Sequence, residues 1–366
     1  MRYYIIAGEA SGDLHASNLM KELKLLDRQA DFRYWGGDLM QQQGGVLVKH
    51  YRDLAFMGFS EVVMNIRTIF INLNYCKEDL LAYHPDVLVL VDYPGFNLRI
   101  AQFAKSQGIK VFYYISPQIW AWKQSRVHKI KKVVDKMAVI LPFEADFYAQ
   151  FNYKVAFVGH PLLDAIANRA NYPSDFKIAT EKPIIALLPG SRKQEIQKML
   201  PLMLSVKEHF KEYHFVVAGA PSISKEFYEN IIGLSDVHVV YNQTYGLLEN
   251  AVAALVTSGT ATLETALFGV PEVVCYIGST LSYHIAKKLI KVKYISLVNL
   301  IMDREIVKEL IQTDLNTKNL IVELNKILHD KEHIQTLRNN YSALKHKLGG
   351  EGASEKTAAL IVALNN

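Results

Sequence analysis

Short apolar runs of strand length alternate with amphipathic stretches along almost the whole chain, and no other feature limits its fold so tightly. Runs near 2–7, 31–36, 87–91, 110–115, 134–140 and 153–158 are followed by a second series near 184–188, 214–218, 237–240, 252–257 and 271–276. Val87-Leu88-Val89-Leu90-Val91 is apolar at every position. That marks a strand covered on both faces, since a half-exposed strand alternates with period two. The stretches 15–26, 97–107 and 193–210 repeat apolar residues at helical spacing. Regular alternation of this kind predicts parallel sheets flanked by helices, the α/β class.

The two series are divided around 160–182, where the segment 168–182 is polar and Pro173 and Pro183 read as linker residues. Two Rossmann-like domains are therefore expected, 1–165 and 166–349. The tail from Thr317 is helical in pattern, and its last part, about 350–366, is free to pack back on the first domain. Ligands of open α/β sheets bind beyond the carboxyl ends of the strands. The expected site is thus an interdomain cleft.

Two loops in the second series suit an anion. Ile184 to Leu188 ends in Pro189-Gly190-Ser191-Arg192 and passes into a helical pattern. Ser191 is expected as the N-cap, with Gln194 as its capping-box partner. Free N–H groups and the helix dipole then face the ligand, and Arg192 adds a planar cation suited to phosphate oxygens. A plain turn with a surface arginine is the alternative. The second loop, Ser258-Gly259-Thr260, follows another apolar run and opens a small-residue helix. Glu264, one turn into that helix, suits a ribose diol; a solvated surface carboxylate is the alternative. Paired, the loops read as a diphosphate site.

Composition excludes several classes. Lys plus Arg number 41 against 36 Asp plus Glu, a net charge of +5 too mild to imply nucleic acid. Histidines are scattered without metal-ligand spacing, no paired-aspartate motif stands near the phosphate loops, and no catalytic metal is expected. The two cysteines, Cys76 and Cys275, fit buried thiols of a reducing compartment. The first apolar run is too short for a signal-peptide core and no run reaches the length of a membrane span, so the chain reads as cytoplasmic.

In the first series, Gly8-Glu9-Ala10-Ser11-Gly12-Asp13 follows the first strand. Glu9 is placed to orient a hydroxyl-bearing substrate, with Ser11 beside it; helix capping by Ser11 or Asp13 is the alternative. Asp92 ends Val87–Val91 and is the sharper candidate. A carboxylate partly desolvated at a strand end can have a raised pKa and act as a general base. The alternative is a turn-closing aspartate. Trp120 and Trp122, followed by Lys123 and Arg126, form an aromatic and basic cluster. The stretch 56–73, with Met57, Val63, Met64, Ile66 and Phe70, carries more apolar surface than one buried helix face needs, and suits acyl chains or a bilayer surface. A plain core helix is the alternative.

GEASGD at 8–13, MGFSEVV at 57–63, DYPGFN at 92–97, SPQIWAW at 116–122, PFE at 142–144 and GHP at 159–161 occur in order. LLPGSRKQEI at 187–196, SGTATLE at 258–264, SLVNL at 296–300 and KELIQ at 308–312 follow. Together they resemble the lipid-A-disaccharide synthase family of inverting glycosyltransferases with the GT-B architecture, over nearly the whole chain. The resemblance implies transfer of 2,3-diacylglucosamine from UDP-2,3-diacylglucosamine to the 6-hydroxyl of 2,3-diacylglucosamine 1-phosphate (lipid X). Products would be the β-1,6 disaccharide and UDP. It implies Asp92 as base, Glu9 as a cleft residue needed for activity, Arg192 and Ser258 to Thr260 on the diphosphate, Glu264 by the ribose and Asn299 near the nucleotide or its phosphates. It also implies peripheral attachment to the cytoplasmic face of the inner membrane, and leaves a homodimer open. Two departures stand out: Gly95 where members often carry aspartate, and Val298 where they often carry proline. The first leaves position 95 no carboxylate to contribute; the second loosens the turn before Asn299. Rival readings are a UDP-N-acetylglucosamine 2-epimerase, which needs no lipid groove, and a non-catalytic nucleotide-sugar or lipid-binding protein.

Overall fold

The apolar runs become the strands of two parallel sheets in a computed structural model that describes residues 1–54, 66–169, 176–233, 235–278 and 293–364. The chain divides into two compact units, Met1–Asn168 with Leu348–Asn366, and Arg169–Lys347.

The first unit contains β1 (Arg2–Ala7), β2 (Asp31–Gly36), β3 (Val46–His50), β4 (Val87–Val91), β5 (Lys110–Tyr114), β6 (Lys136–Val139) and β7 (Ala156–Phe157). Their spatial order is β3-β2-β1-β4-β5-β6-β7. All five residues of β4 are buried, as a strand covered on both faces requires. One face of this sheet packs Tyr3, Ile5 and Ala7 against Leu19 and Leu23 of the helix Ala10–Leu26 and Ile361 of the helix Ala353–Val362. That last helix is fixed at its start by Asp164, whose carboxylate accepts from the N–H groups of Gly352 (2.7 Å), Ala353 (3.3 Å) and Ser354 (2.9 Å). These are donors that a helix cannot satisfy internally.

The second unit contains β8 (Ile184–Leu188), β9 (His214–Gly219), β10 (His238–Tyr241), β11 (Ala251–Thr257), β12 (Glu272–Tyr276) and β13 (Lys308–Ile311), in the order β10-β9-β8-β11-β12-β13. Numbered within its own unit, the second sheet runs 3-2-1-4-5-6 and the first runs the same with a seventh strand at its end, the doubly wound order that reverses between its first and fourth strands. The switch points are therefore β1/β4 and β8/β11.

Two strands have no counterpart in the sequence reading. β3 and β13 are edge strands with half-exposed residues, and their Lys49, His50, Lys308 and Glu309 break any apolar run. Cys76 and Cys275 are free, buried thiols. Among the described residues no helix is long and apolar enough to cross a membrane.

Candidate active site

Ala7 and Val91 are paired at the carboxyl ends of β1 and β4, so Glu9 and Asp92 leave the first sheet side by side at its switch point. Gly8 permits the approach. A Cβ there would lie 2.4 Å from the ring of Tyr93, which follows Asp92. Asp92 and Tyr93 both adopt left-handed backbone, at φ 46° and 49°, a strain of about 1–3 kcal/mol each for non-glycine residues. Hydrogen bonds hold them in place. Asp92 N donates to the Tyr114 carbonyl (3.0 Å), while the Asp92 carbonyl accepts from Tyr113 Oη (2.6 Å) and Asn97 Nδ2 (2.7 Å). Burial raises the Asp92 carboxyl to a pKa of about 7, the charge of Glu9 adds to the rise, and the Tyr93 N–H offsets part of it.

Glu9 itself is half-buried at the N-cap of Ala10–Leu26 without a capping side-chain bond. Neither Ser11 nor Asp13 caps that helix. Ser11 is exposed, and the buried Asp13 carboxylate instead accepts from the N–H groups of Gly37, Leu39 and Met40, capping the next helix, Asp38–Gln42.

The two tryptophans part company. Trp120 is buried edge-on to Phe143, at 4.9 Å between ring centroids. Trp122 is exposed, with Lys123 Nζ 4.4 Å and Arg126 Cζ 5.3 Å from its ring centroid. Glu144 was noted only as part of a motif, yet it is a buried carboxyl that burial raises to about 7, with Ile140 and Leu141 N–H groups donating to it. On the helix Ile66–Tyr83, Phe70 and Ile71 are 53% and 58% exposed, more than a core helix leaves in water. Phe70, Leu73, Lys77, Arg99 and Phe103 line a groove beside them. Met57, Val63 and Met64 lie outside the described residues, as does the side chain of Ile66.

In the second unit Leu188 and Val256 pair near the carboxyl ends of β8 and β11, so both candidate phosphate loops stand at that sheet's switch point. Gly190 has φ 108°, and a Cβ there would meet Glu195 Oε2 at 2.7 Å. The expected capping box does not form, and the N-cap makes no side-chain capping bond. Arg192, not Ser191, is the N-cap of the helix Lys193–Leu204, and Glu195 replaces Gln194 as the residue reaching back. Glu195 accepts from Ser191 N (3.3 Å) and Arg192 Nη1 (3.1 Å). This exposed ion pair ties the guanidinium to the first turn of the helix.

In the other loop the hydroxyl of Ser258 donates to the Ile295 carbonyl (2.9 Å) and its N–H to the Cys275 carbonyl (3.1 Å). Ser258 therefore shapes the loop rather than offering a free donor. Gly259 and Thr260 are exposed, and Thr260 begins the helix Thr260–Leu267. Glu264 is half-buried, accepts from Tyr245 Oη (3.2 Å) and is raised by burial, so it is not a solvated surface carboxylate.

Asn299 is buried. Its amide donates to the Val307 carbonyl and Glu309 Oε1 (both 2.9 Å), and its oxygen accepts from the N–H groups of Ile306 (2.7 Å) and Val307 (3.0 Å). An amide has two donors and one acceptor oxygen with two lone pairs. All are used inside the fold, so the Asn299 side chain holds this turn together. Glu309 is the hub that the sequence reading missed, accepting also from Ile295 N, Ser296 N and Ser296 Oγ.

The family model for lipid-A-disaccharide synthetase matches residues 3–363. The chain belongs to the lipid-A-disaccharide synthetase family. It is a glycosyltransferase. The lipid-A-disaccharide synthase of Trichlorobacter lovleyi is 37% identical over 99% of this chain and 97% of its own. Solved structures show the same fold at low identity. The Neisseria meningitidis UDP-GlcNAc 2-epimerase bound to UDP-GlcNAc superposes with a TM-score of 0.68 at 14% identity, covering all of both chains. The glycotransferase of kitacinnamycin gives 0.69 at 14%, covering 100% of this chain and 99% of its own. At that identity the epimerase likeness speaks for the GT-B arrangement of strands alone, while the family match separates this chain from epimerases.

Proposed function

We propose that this synthase transfers 2,3-diacylglucosamine from UDP-2,3-diacylglucosamine to the 6-hydroxyl of 2,3-diacylglucosamine 1-phosphate, inverting the anomeric carbon, with Asp92 as the general base. The observation that carries the reading is a carboxyl near neutral pKa, strained and held at the switch point next to Glu9. As the carboxylate it takes the hydroxyl proton; the hydroxyl oxygen bonds to the anomeric carbon, and the bond to the UDP oxygen breaks on the opposite face. Glu9 keeps the proton on Asp92 up to higher pH and orients the acceptor.

The second unit takes the UDP. The N–H groups that open Lys193–Leu204 and Thr260–Leu267, together with Arg192, meet the negative charge that grows on the leaving diphosphate. Gly190 and Ser191 bring backbone close to it, Gly259 and Thr260 do so from the other loop, and Glu264 takes the ribose. Because the chain has no paired aspartates near these loops, turnover is expected to be indifferent to EDTA. A loss on chelation that magnesium restores would contradict this.

The exposed Phe70, Ile71 and Trp122, with Lys77, Arg99, Lys123 and Arg126 near them, support peripheral attachment to an anionic bilayer surface. The decisive assay is UDP release from UDP-2,3-diacylglucosamine with and without the acceptor. Acceptor-dependent release that collapses in Asp92→Asn is the expected result. Release that survives would move the base elsewhere, and acceptor-independent turnover would overturn the transferase reading.

A further inference from the structure

His214 and His238 are far apart in sequence, and the second sheet brings their rings together. His214 opens β9 and His238 opens the neighbouring parallel strand β10. His214 Nε2 lies 2.7 Å from His238 Nδ1, with ring centroids 4.8 Å apart and planes at 50°. Asp236, two residues before His238, adds a carboxylate, and one ligand atom from each of the three lies within 4.8 Å of the others. Among the described residues no other three His, Cys, Asp or Glu side chains meet in this way. His214 is buried, whereas His238 and Asp236 are exposed and open to an entering ion.

Two imidazole nitrogens at hydrogen-bond distance share one proton between two lone pairs. A metal replacing that proton would sit about 2.0–2.1 Å from each nitrogen, and tetrahedral geometry would open the nitrogens to about 3.3 Å. Rotation of the exposed His238 ring supplies that fraction of an ångström. Two imidazoles and a carboxylate suit zinc and fit poorly the oxygen-rich shells of magnesium and calcium. Burial, then the neighbouring His238, keep His214 below its ordinary pKa. Lys182 and Lys207 add positive charge near it, with Asp236 in opposition.

We propose that His214, His238 and Asp236 bind one Zn²⁺ ion, completed by water, which ties the starts of β9 and β10 together and takes no part in sugar transfer. The site's place in the sheet sets it apart from the chemistry. His214 is in register with Ile184, the first residue of β8, whereas the phosphate loops leave the opposite ends of β8 and β11.

Titration of the tag-free full chain with Zn²⁺ alone, followed calorimetrically, tests the site. One equivalent saturating in the micromolar range is expected, unaffected by millimolar Mg²⁺. His238→Ala is expected to weaken it about tenfold or more, since losing a direct ligand costs no less than losing an outer-shell partner, and Asp236→Asn to weaken it less. Zn²⁺ should raise the melting temperature of the wild type and not of His238→Ala, while acceptor-dependent UDP release stays the same in both. Binding that does not saturate, or that is as tight in His238→Ala, would overturn the proposal. So would displacement of the ion by Mg²⁺.

Discussion

Asp92 is a residue that the fold disfavours, and its proposed role as base gives that cost a use. Its carboxyl goes from an ordinary 3.8 to about 7, so the folded protein holds that proton over a pH range in which the unfolded chain has lost it. Stability from this group therefore falls as pH rises from about 4 to 7 and is least above 7. Asp92→Asn removes the ionisation and tolerates left-handed backbone better. At pH 8 it is expected to raise stability, by on the order of 1–3 kcal/mol, while lowering kcat by about 10²–10⁴. The gain in melting temperature should shrink at pH 5, and a variant that melts lower at pH 8 would count against the strained-base reading. In the wild type, kcat/KM should rise with pH through an apparent pKa near 7. Glu9→Gln, by removing the second cause of the shift, should move that limb to lower pH. A limb that stays in place would show that Glu9 does not act electrostatically on Asp92. Asp92 and Glu9 were legible as candidates in the sequence because they follow strands, Asp92 directly and Glu9 after Gly8. Asn299 and Ser258 were not, since nothing in a sequence shows that their polar atoms are already engaged by Glu309, Val307 and Ile295.

At the scale of elements, legibility followed burial. β4 and β8 could be read because every residue of each is buried and apolar, whereas β3 and β13 could not, because an edge strand need hide only part of itself. The helix start after Gly190 was misplaced by one residue because Ser191 and Gln194 have capping-box spacing, yet so do Arg192 and Glu195. The Glu195 carboxylate, which accepts from Ser191 N and from the Arg192 guanidinium, decides between them. The cap on Ala353–Val362 was unreadable because Asp164 lies 188 residues from Gly352. Asp164→Ala leaves three N–H groups at a helix start without their acceptor, and is expected to cost about 1–2 kcal/mol. Chemical denaturation would register this as a lower midpoint, with kcat unchanged below the transition. An unchanged midpoint would show that water satisfies those donors equally well.

At the scale of the whole molecule, each unit repeats one arrangement: a doubly wound sheet whose candidate-site loops leave the two strands at the reversal. The residues in the loops show why the two sets suit different ligands. The loops of the second unit are glycine and hydroxyl residues at the starts of helices, which suit an anion. Those of the first unit carry Glu9 and Asp92, which would repel one and suit a hydroxyl. A mild net charge of +5 does not hold a protein to a membrane, so any attachment must come from local apolar surface with cations beside it. Phe70 and Ile71 meet that description, with Arg99 Cζ 5.9 Å from the Phe70 ring centroid. Both side chains are already largely in water, so making them serine should change stability little while removing the surface that would enter a bilayer. Phe70→Ser with Ile71→Ser is therefore expected to keep its melting temperature and its turnover of detergent-dispersed acceptor, and to lose most of its binding to vesicles containing anionic lipid. Binding by the wild type should weaken with added salt, because Arg99 and Lys77 contribute through screened charge. If the double variant sediments with vesicles as the wild type does, the apolar residues of this helix are not what meets the lipid, and the exposed Trp122 with its two cations becomes the surface to alter.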